Sequence, residues 1–251
     1  MTSLVYILYL MANVLRLGTI ALNFYTPLFS AWKSKGHMAN GYCSPGYFTF
    51  HAEGASSSVT DTLHWLKGES VGPGYDLKER TESESYADII SVGISRADAD
   101  IIKKGAGKKF HEADAFVKNY KNNIKLITTA QKIALFTMIW KRYYVPTAKR
   151  IYNHLPSKVY ERDIKCLQKT NSTLAWQKAS CDDLDHRIID VIVDFVYQGV
   201  YRFMEIKLAS TKNDAEYFAL CIENHPMASI YDKGRKRIPY LKTVINGPSN
   251  Y

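Results

Sequence analysis

Three side chains near the front of the chain could carry acid–base chemistry: Glu53, Ser70 and Asp76. The stretch from Ser70 to Asp76 reads SVGPGYD, in which two glycines flank a proline, a combination that does not fit inside a helix. The backbone must therefore turn, with Gly72 and Gly74 free to take positive φ, and we expect Ser70 and Asp76 to lie close together. Glu53 precedes the turn across a serine-rich connection that could fold back as a hairpin. We predict that the two carboxyl groups and the hydroxyl share one cleft.

Two carboxyl groups across a groove are what glycoside hydrolysis requires. One must be protonated to donate to the leaving oxygen, and the other must be ionised to activate water or attack the sugar. Glu53 suits the acid role, because partial burial against the aromatic segment 47–50 would favour its protonated form. Asp76, in an exposed glycine-rich turn, should stay ionised, and the Ser70 hydroxyl could hold a water. Spacing alone is weak evidence, because surface carboxylates are abundant.

The same residues resemble the phage-lysozyme-like muramidase domains of pesticin and of type VI secretion effectors. The resemblance covers about residues 47–245 and continues in the expected order well beyond the turn. The segments that carry it are EG at 53–54, LHW at 63–65, SVGPGYDLKER at 70–80, GISR at 93–96, KGAGK at 104–108, IT followed by Gln131 at 127–131, Phe136, and VD followed by YQG at 193–199.

This resemblance implies a role for each of the three residues. It makes Glu53 the general acid, Asp76 the carboxylate that acts with water, and Ser70 the residue that positions this water. Ser70 stands where the family usually has threonine; it keeps the hydroxyl but loses the methyl group that restricts the rotamer. The resemblance also implies inversion, for which the carboxyl groups should be about 6.5–9.5 Å apart, whereas about 5 Å would indicate a retaining nucleophile.

Four further residues are candidates for substrate binding. His64, Trp65 and Tyr75 could line the sugar groove, or could equally be aromatic packing in the core. Gln198 could reach into the cleft from a long helix, although a helix end at Gly199 explains it as well. We expect no cofactor and no metal, because the sequence contains no Cys-x-x-Cys pair and no His-Glu-x-x-His motif. Disulfides among the four cysteines stay open.

The elements that must position these residues are mainly helical. The sequence therefore predicts an α+β, mainly α fold: a lysozyme-like domain at 46–251 with a small glycine-rich β lobe and a larger helical lobe, preceded by an apolar N-terminal segment and linker at 1–45. Apolar periodicity and capping residues predict helices at 81–91, from Ser95 to Gly105, at 107–119, after the capping box Thr128–Gln131, in a connection at 145–163 broken at Pro146 and Pro156, at 183–198, from Asn213 through Glu223, and at 234–245.

The apolar stretch 4–29 has three interpretations. It is interrupted by Arg16, which would be costly inside a bilayer, and no basic residue precedes it as in an ordinary signal peptide. It could insert into a membrane as a signal-anchor-like segment, pack as a helix on the domain or on a partner, or direct secretion.

The net charge of +9 favours an anionic partner such as nucleic acid, a membrane surface or an acidic cell-wall polymer. Basic residues are dispersed, and 235–237 is their one compact cluster, so we interpret them as a solvated surface and do not expect a nucleic-acid site.

We therefore predict a peptidoglycan hydrolase, a muramidase that cleaves the β-1,4 bond between N-acetylmuramic acid and N-acetylglucosamine. It would be an antibacterial toxin or effector, secreted or delivered to the periplasm of a target bacterium, with glycan strands as substrate and an immunity protein as a further partner. The alternative is a membrane-active or wall-binding protein whose lysozyme-like domain is degenerate and whose working part is 4–29. A chitinase-like enzyme is a third interpretation.

Overall fold

The computed structural model describes residues 46–53, 63–64, 70–72, 74–125, 127–167 and 171–243. The predicted segment 1–45 lies outside these residues, so the three interpretations of 4–29 stay predictions. Within the described part, no helix is both long and apolar enough to cross a bilayer. The chain divides into two compact units: the first holds the described residues from 63 to 138, and the second holds those of 46–53 and of 139–243.

Helices dominate both units, as the sequence predicts. In chain order, the α-helices of the described residues are α1 (Tyr47–Ala52), α2 (Glu82–Ser91), α3 (Arg96–Ile102), α4 (His111–Tyr120), α5 (Thr129–Ile139), α6 (Val145–Asn153), α7 (His186–Tyr197), α8 (Met204–Ser210), α9 (Ala215–Asn224), α10 (Ala228–Asp232) and α11 (Arg237–Leu241).

Two small antiparallel sheets complete the fold. In the first unit, β1 (Leu63–His64), β2 (Ser70–Val71) and β3 (Tyr75–Asp76) form a three-stranded sheet in that order. In the second, β4 (Lys158–Tyr160) pairs with β5 (Ala175–Gln177). The prediction of a mainly helical α+β chain with a small glycine-rich β part is therefore confirmed.

Capping residues set the helix starts where the sequence places them. The Thr81 hydroxyl accepts from the backbone N–H of Glu84, whose carboxylate accepts in return from the N–H of Thr81, which is a complete capping box at α2. Thr128 and Gln131 make the same pair of bonds at α5, at 2.9 and 3.2 Å. The predicted capping box Thr128–Gln131 is confirmed, and α2 has a second one; such caps depend on residues only three positions apart.

Two predicted boundaries are wrong. Pro146 does not break its segment: it lies in the first turn of α6, directly after the π-helical turn Trp140–Tyr144, where a missing N–H is tolerated. Asn213 does not cap α9, since Asp214 accepts from the N–H of Tyr217 instead. The Asn213 amide oxygen accepts from the N–H of Asp185 at 2.7 Å, at the start of α7.

Helix α7 is the centre of the second unit. It packs against α1, α6 and α11. It lies within the helix predicted at 183–198, and its apolar face includes Ile188, Ile192 and Phe195, all with no exposed surface. Two acidic residues of the same helix, Asp190 and Asp194, are buried too. Buried carboxylates need partners, and the elements packed on α7 must supply them.

Candidate functional site

The predicted turn between β2 and β3 has the expected backbone. Gly72 and Gly74 have φ of 55° and 77°, a left-handed conformation that glycine adopts without steric cost. Ser70 is the Cα partner of Asp76 across the two strands. The expectation that these two residues lie close together is therefore confirmed for the backbone, since directly opposed residues of an antiparallel pair have Cα atoms about 4.5–5.5 Å apart.

Asp76 is half-buried and already has partners of its own. One carboxylate oxygen accepts from the backbone N–H of Lys78 at 3.0 Å, and the other lies 2.7 Å from the Lys78 Nζ. The residue thus caps the short 3₁₀ turn Leu77–Glu79. The carboxylate keeps a third of its side-chain surface exposed, so it can serve as a cap and still meet a water or a substrate.

Glu53 ends α1 as its C-terminal cap. Its side chain is 32% exposed, and one oxygen forms an ion pair with the Arg235 guanidinium. The sequence predicts an aromatic environment for this carboxyl group, but the group that pairs with it is a cation. A guanidinium stabilises a carboxylate, whereas an acid catalyst needs a proton. Protonation of Glu53 would therefore have to accompany a change in this ion pair.

Arg235 connects Glu53 to a buried ionic network around Asp194. Asp194 has no exposed surface and accepts from the Arg235 guanidinium, from the Arg237 Nε at 2.7 Å, and from the Thr49 hydroxyl at 2.6 Å. Two carboxylates therefore face two guanidinium groups. Attraction within such a network offsets part of the cost of burying the charges, and loss of one member would leave another without its partner.

Electrostatics within the network differ between the two arginines. Burial tends to lower the pKa of Arg235, but hydrogen bonding and charge from Asp194 and Glu53 outweigh it, so that pKa is raised. At Arg237 the effect of burial is larger than that of the Asp194 charge, so the pKa of Arg237 is lowered.

Gln198 belongs to the same network. It caps the C-terminus of α7, where the following Gly199 has φ of 73°, and its side-chain oxygen accepts from the Arg237 Nη2 at 2.6 Å. Gln198 therefore lies at the end of the helix, and its side chain also bonds to the ionic network that includes Glu53.

Tyr75 is a core residue. It has no exposed surface, its hydroxyl donates to Asp88 at 3.0 Å, and burial together with the Asp88 charge raises its pKa. Of the two interpretations of Tyr75, lining a sugar groove or packing in the core, its full burial favours core packing. The backbone of His64 pairs with Ser70, while Trp65 and the side chains of His64 and Ser70 lie outside the described part.

The structure thus brings the predicted residues into two groups. Ser70 and Asp76 are strand partners in the first unit, and Glu53 and Gln198 join one network in the second. Sequence reasoning missed the connecting residues Arg235, Arg237 and Asp194. The signal available was the basic cluster 235–237, whose two arginines are buried and not part of a solvated surface.

The thiols and the histidines form no metal centre in the described part of the chain, where no group of three or more His, Cys, Asp or Glu side chains could hold an ion. Cys166, Cys181 and Cys221 are free, and Cys43 lies outside the described residues.

Comparison with curated proteins gives no match. One family profile, described as "Domain of unknown function (DUF8812)", matches residues 46–236. The match begins at Gly46, directly before α1, and ends at Lys236, so it includes Glu53, the β2–β3 turn and Arg235. Since it covers well over half of the sequence, the chain belongs to the family described as Domain of unknown function (DUF8812).

Proposed function

We propose that the protein is a muramidase that hydrolyses the β-1,4 bond between N-acetylmuramic acid and N-acetylglucosamine, and that it acts as an antibacterial toxin or effector in the periplasm of a target cell. The observation that carries this proposal is the β2–β3 hairpin. Its two positive-φ glycines turn the chain so that Ser70 and Asp76 become strand partners, which is the arrangement that the resemblance calls for.

Each residue has one role in the proposed reaction. Glu53 donates a proton to the leaving oxygen, Asp76 draws a proton from the attacking water, and Ser70 orients that water. Attack by water on the face opposite the leaving group inverts the anomeric carbon. Because Glu53 is paired with Arg235 in the free protein, it takes up a proton from solvent as this ion pair opens on substrate binding, and it returns to Arg235 as a carboxylate after the proton has passed to the leaving oxygen.

The decisive experiment replaces Glu53 by glutamine. Glu53→Gln cannot donate the proton, but its amide oxygen can still accept from Arg235, so we expect the fold to persist. Release of soluble muropeptides from purified sacculi should fall by about 10²–10⁴-fold, the usual contribution of a general acid. The melting temperature checks folding. A matched control is Glu223→Gln, because Glu223 is exposed and pairs only with Lys242 among the described residues.

Two results would contradict the proposal. If folded Glu53→Gln releases muropeptides as fast as the unchanged protein, Glu53 is not the acid. If the unchanged protein releases none, the chain is not a muramidase. Mass spectrometry of the products separates cleavage of peptidoglycan from a chitinase-like activity.

The apolar stretch 4–29 favours a second candidate function, a membrane-active or wall-binding protein with a degenerate enzyme domain. Such a protein would release dye from lipid vesicles and leave sacculi intact. The muramidase would digest sacculi in the absence of any bilayer, so the two assays distinguish the candidates.

A further inference from the structure

A pocket of about 430 Å³ opens beside α1 in the second unit. Its wall combines aromatic rings with basic side chains: Phe48 and Tyr240 stack with ring centroids 4.5 Å apart, and His51 and Lys236 also line it. This volume lies within the range of about 300–1,000 Å³ that is common for small-molecule sites. The pocket therefore offers flat apolar surface together with positive charge.

The pocket adjoins the proposed acid. Ala52, the residue before Glu53, is part of its wall, and so is Arg235, whose guanidinium forms the ion pair with Glu53. A ligand in the pocket would thus lie next to the side chain that we propose as proton donor.

Lys236 supplies the charge that a ligand can use. Its neighbours Arg235 and Arg237 are buried and face Asp194, whereas Lys236 is exposed and forms no salt bridge with any residue of the described part. Its backbone is left-handed, with φ of 62° and ψ of 32°. That conformation is unfavourable for a lysine, and strain of this kind is concentrated at functional positions.

We propose that this pocket binds the acidic stem peptide of peptidoglycan, an inference that rests on the proposed muramidase function. The stem peptide is attached to N-acetylmuramic acid, one of the two sugars at the scissile bond, so a peptide site beside Glu53 is within reach of the cut. The Lys236 ammonium pairs with a peptide carboxylate, and the Phe48–Tyr240 pair contacts the apolar part of the peptide.

Binding can be measured without cleavage. In isothermal titration calorimetry of the full chain, a soluble muramyl tripeptide with free carboxylates should bind more tightly than the same compound with amidated carboxyls. Lys236→Gly should weaken binding of the acidic form by at least about tenfold, the loss expected for one hydrogen bond to a charged group, and should leave the amidated form unchanged.

The choice of glycine keeps this test independent of folding. Glycine adopts the left-handed conformation of position 236 without steric cost, so the melting temperature of Lys236→Gly should not fall. Lys233→Gln is the charge control, because it removes one exposed cation nearby that does not line the pocket. Equal affinity for acidic and amidated tripeptide, or no effect of Lys236→Gly, would overturn the inference.

A parallel digestion separates this failure from failure of the proposed function. Sacculi stripped of stem peptides by an amidase should be cut more slowly than intact sacculi if the pocket recruits the peptide. Equal cleavage of both substrates would overturn the peptide site and leave the muramidase intact. If neither substrate is cleaved, the protein is not a muramidase. This result comes from digestion and is independent of the binding measured by calorimetry.

Discussion

Two carboxyl groups on α7, Asp190 and Asp194, lie one helical turn apart and are both buried, but they have different partners. Asp194 is neutralised by Arg235 and Arg237. Asp190 accepts from the Tyr240 hydroxyl at 2.6 Å and is paired with no cation in the part of the chain that the structure describes. Burial raises the pKa of Asp190 from 3.8 to about 8. The same residue type is therefore paired with two guanidinium groups at one position and has a strongly raised pKa one turn away.

This difference makes stability depend on pH through Asp190. The folded protein keeps the proton up to about pH 8, whereas the unfolded chain releases it near pH 4. Between these values the unfolded state binds fewer protons, so the contribution of Asp190 to stability is complete below about pH 4 and is lost as the pH rises toward 8. We expect the free energy of unfolding to fall by up to about 1.4 kcal/mol per pH unit more steeply than in Asp190→Asn.

Urea unfolding at several pH values between 5 and 8 measures this slope. The asparagine side chain of Asp190→Asn is neutral throughout this range, and its amide oxygen can still accept from Tyr240, so the variant isolates the effect of the proton. Parallel pH dependences for the two proteins would show that Asp190 is already ionised in the folded state.

Among the elements, the β2–β3 turn relies on Gly72 for two separate reasons. Its φ of 55° is left-handed, and a Cβ placed there would lie 3.1 Å from the Ile127 Cδ1. Gly93 after α2 has φ of 80°, but a Cβ there would meet nothing within 4 Å. A substitution at Gly93 would therefore introduce backbone strain alone, whereas one at Gly72 would introduce both backbone strain and a steric clash.

We expect Gly93→Ala to cost about 1–2 kcal/mol of stability, which is the usual penalty for a left-handed alanine. Gly72→Ala should cost as much, and up to about 1 kcal/mol more because Ile127 must shift. If the proposed function holds, only Gly72→Ala should also slow sacculus digestion, since the turn pairs Ser70 with Asp76. Urea unfolding and muropeptide release measure the two effects. Equal activity of both variants would show that this turn has no part in catalysis.

The whole molecule is strongly basic, with a net charge of +9. Some of the basic side chains form ion pairs within the protein. Arg235 and Arg237 belong to the network around Asp194, and Arg187 pairs with Asp185. Many other lysines and arginines are exposed, spread over both units. Exposed charge of one sign raises the affinity for polyanions and the rate of encounter with them.

Binding to anionic sacculi should accordingly weaken with salt. Between about 0.1 M and about 1 M NaCl the Debye length falls from about 10 Å to about 3 Å, so interactions between exposed charges are screened. If the proposed function holds, co-sedimentation of Glu53→Gln with sacculi measures the bound fraction without digestion, and we expect several-fold less protein in the pellet at high salt. A salt-independent bound fraction would indicate recognition that does not use the net charge.

Local features of the fold could be predicted from the sequence. The capping boxes at α2 and α5, the glycine turn before Asp76 and the apolar face of α7 all follow from residues within a few positions of one another, and backbone sterics or short hydrogen bonds enforce them directly. Two positions depart from this rule: Pro146 fits because the preceding turn is π-helical, and Asn213 serves α7 across the chain instead of capping its own helix.

The environments of charged and aromatic side chains were decided only by the tertiary structure. Nothing near Glu53 in the sequence indicates Arg235, and nothing near Asp194 indicates Thr49. The burial of Tyr75 and the raised pKa of Asp190 likewise depend on elements that pack from far along the chain. The sequence by itself determined where the chain turns and which residue types could react. Their protonation and partners follow from long-range packing, because desolvation and ion pairing depend on what surrounds a group in space.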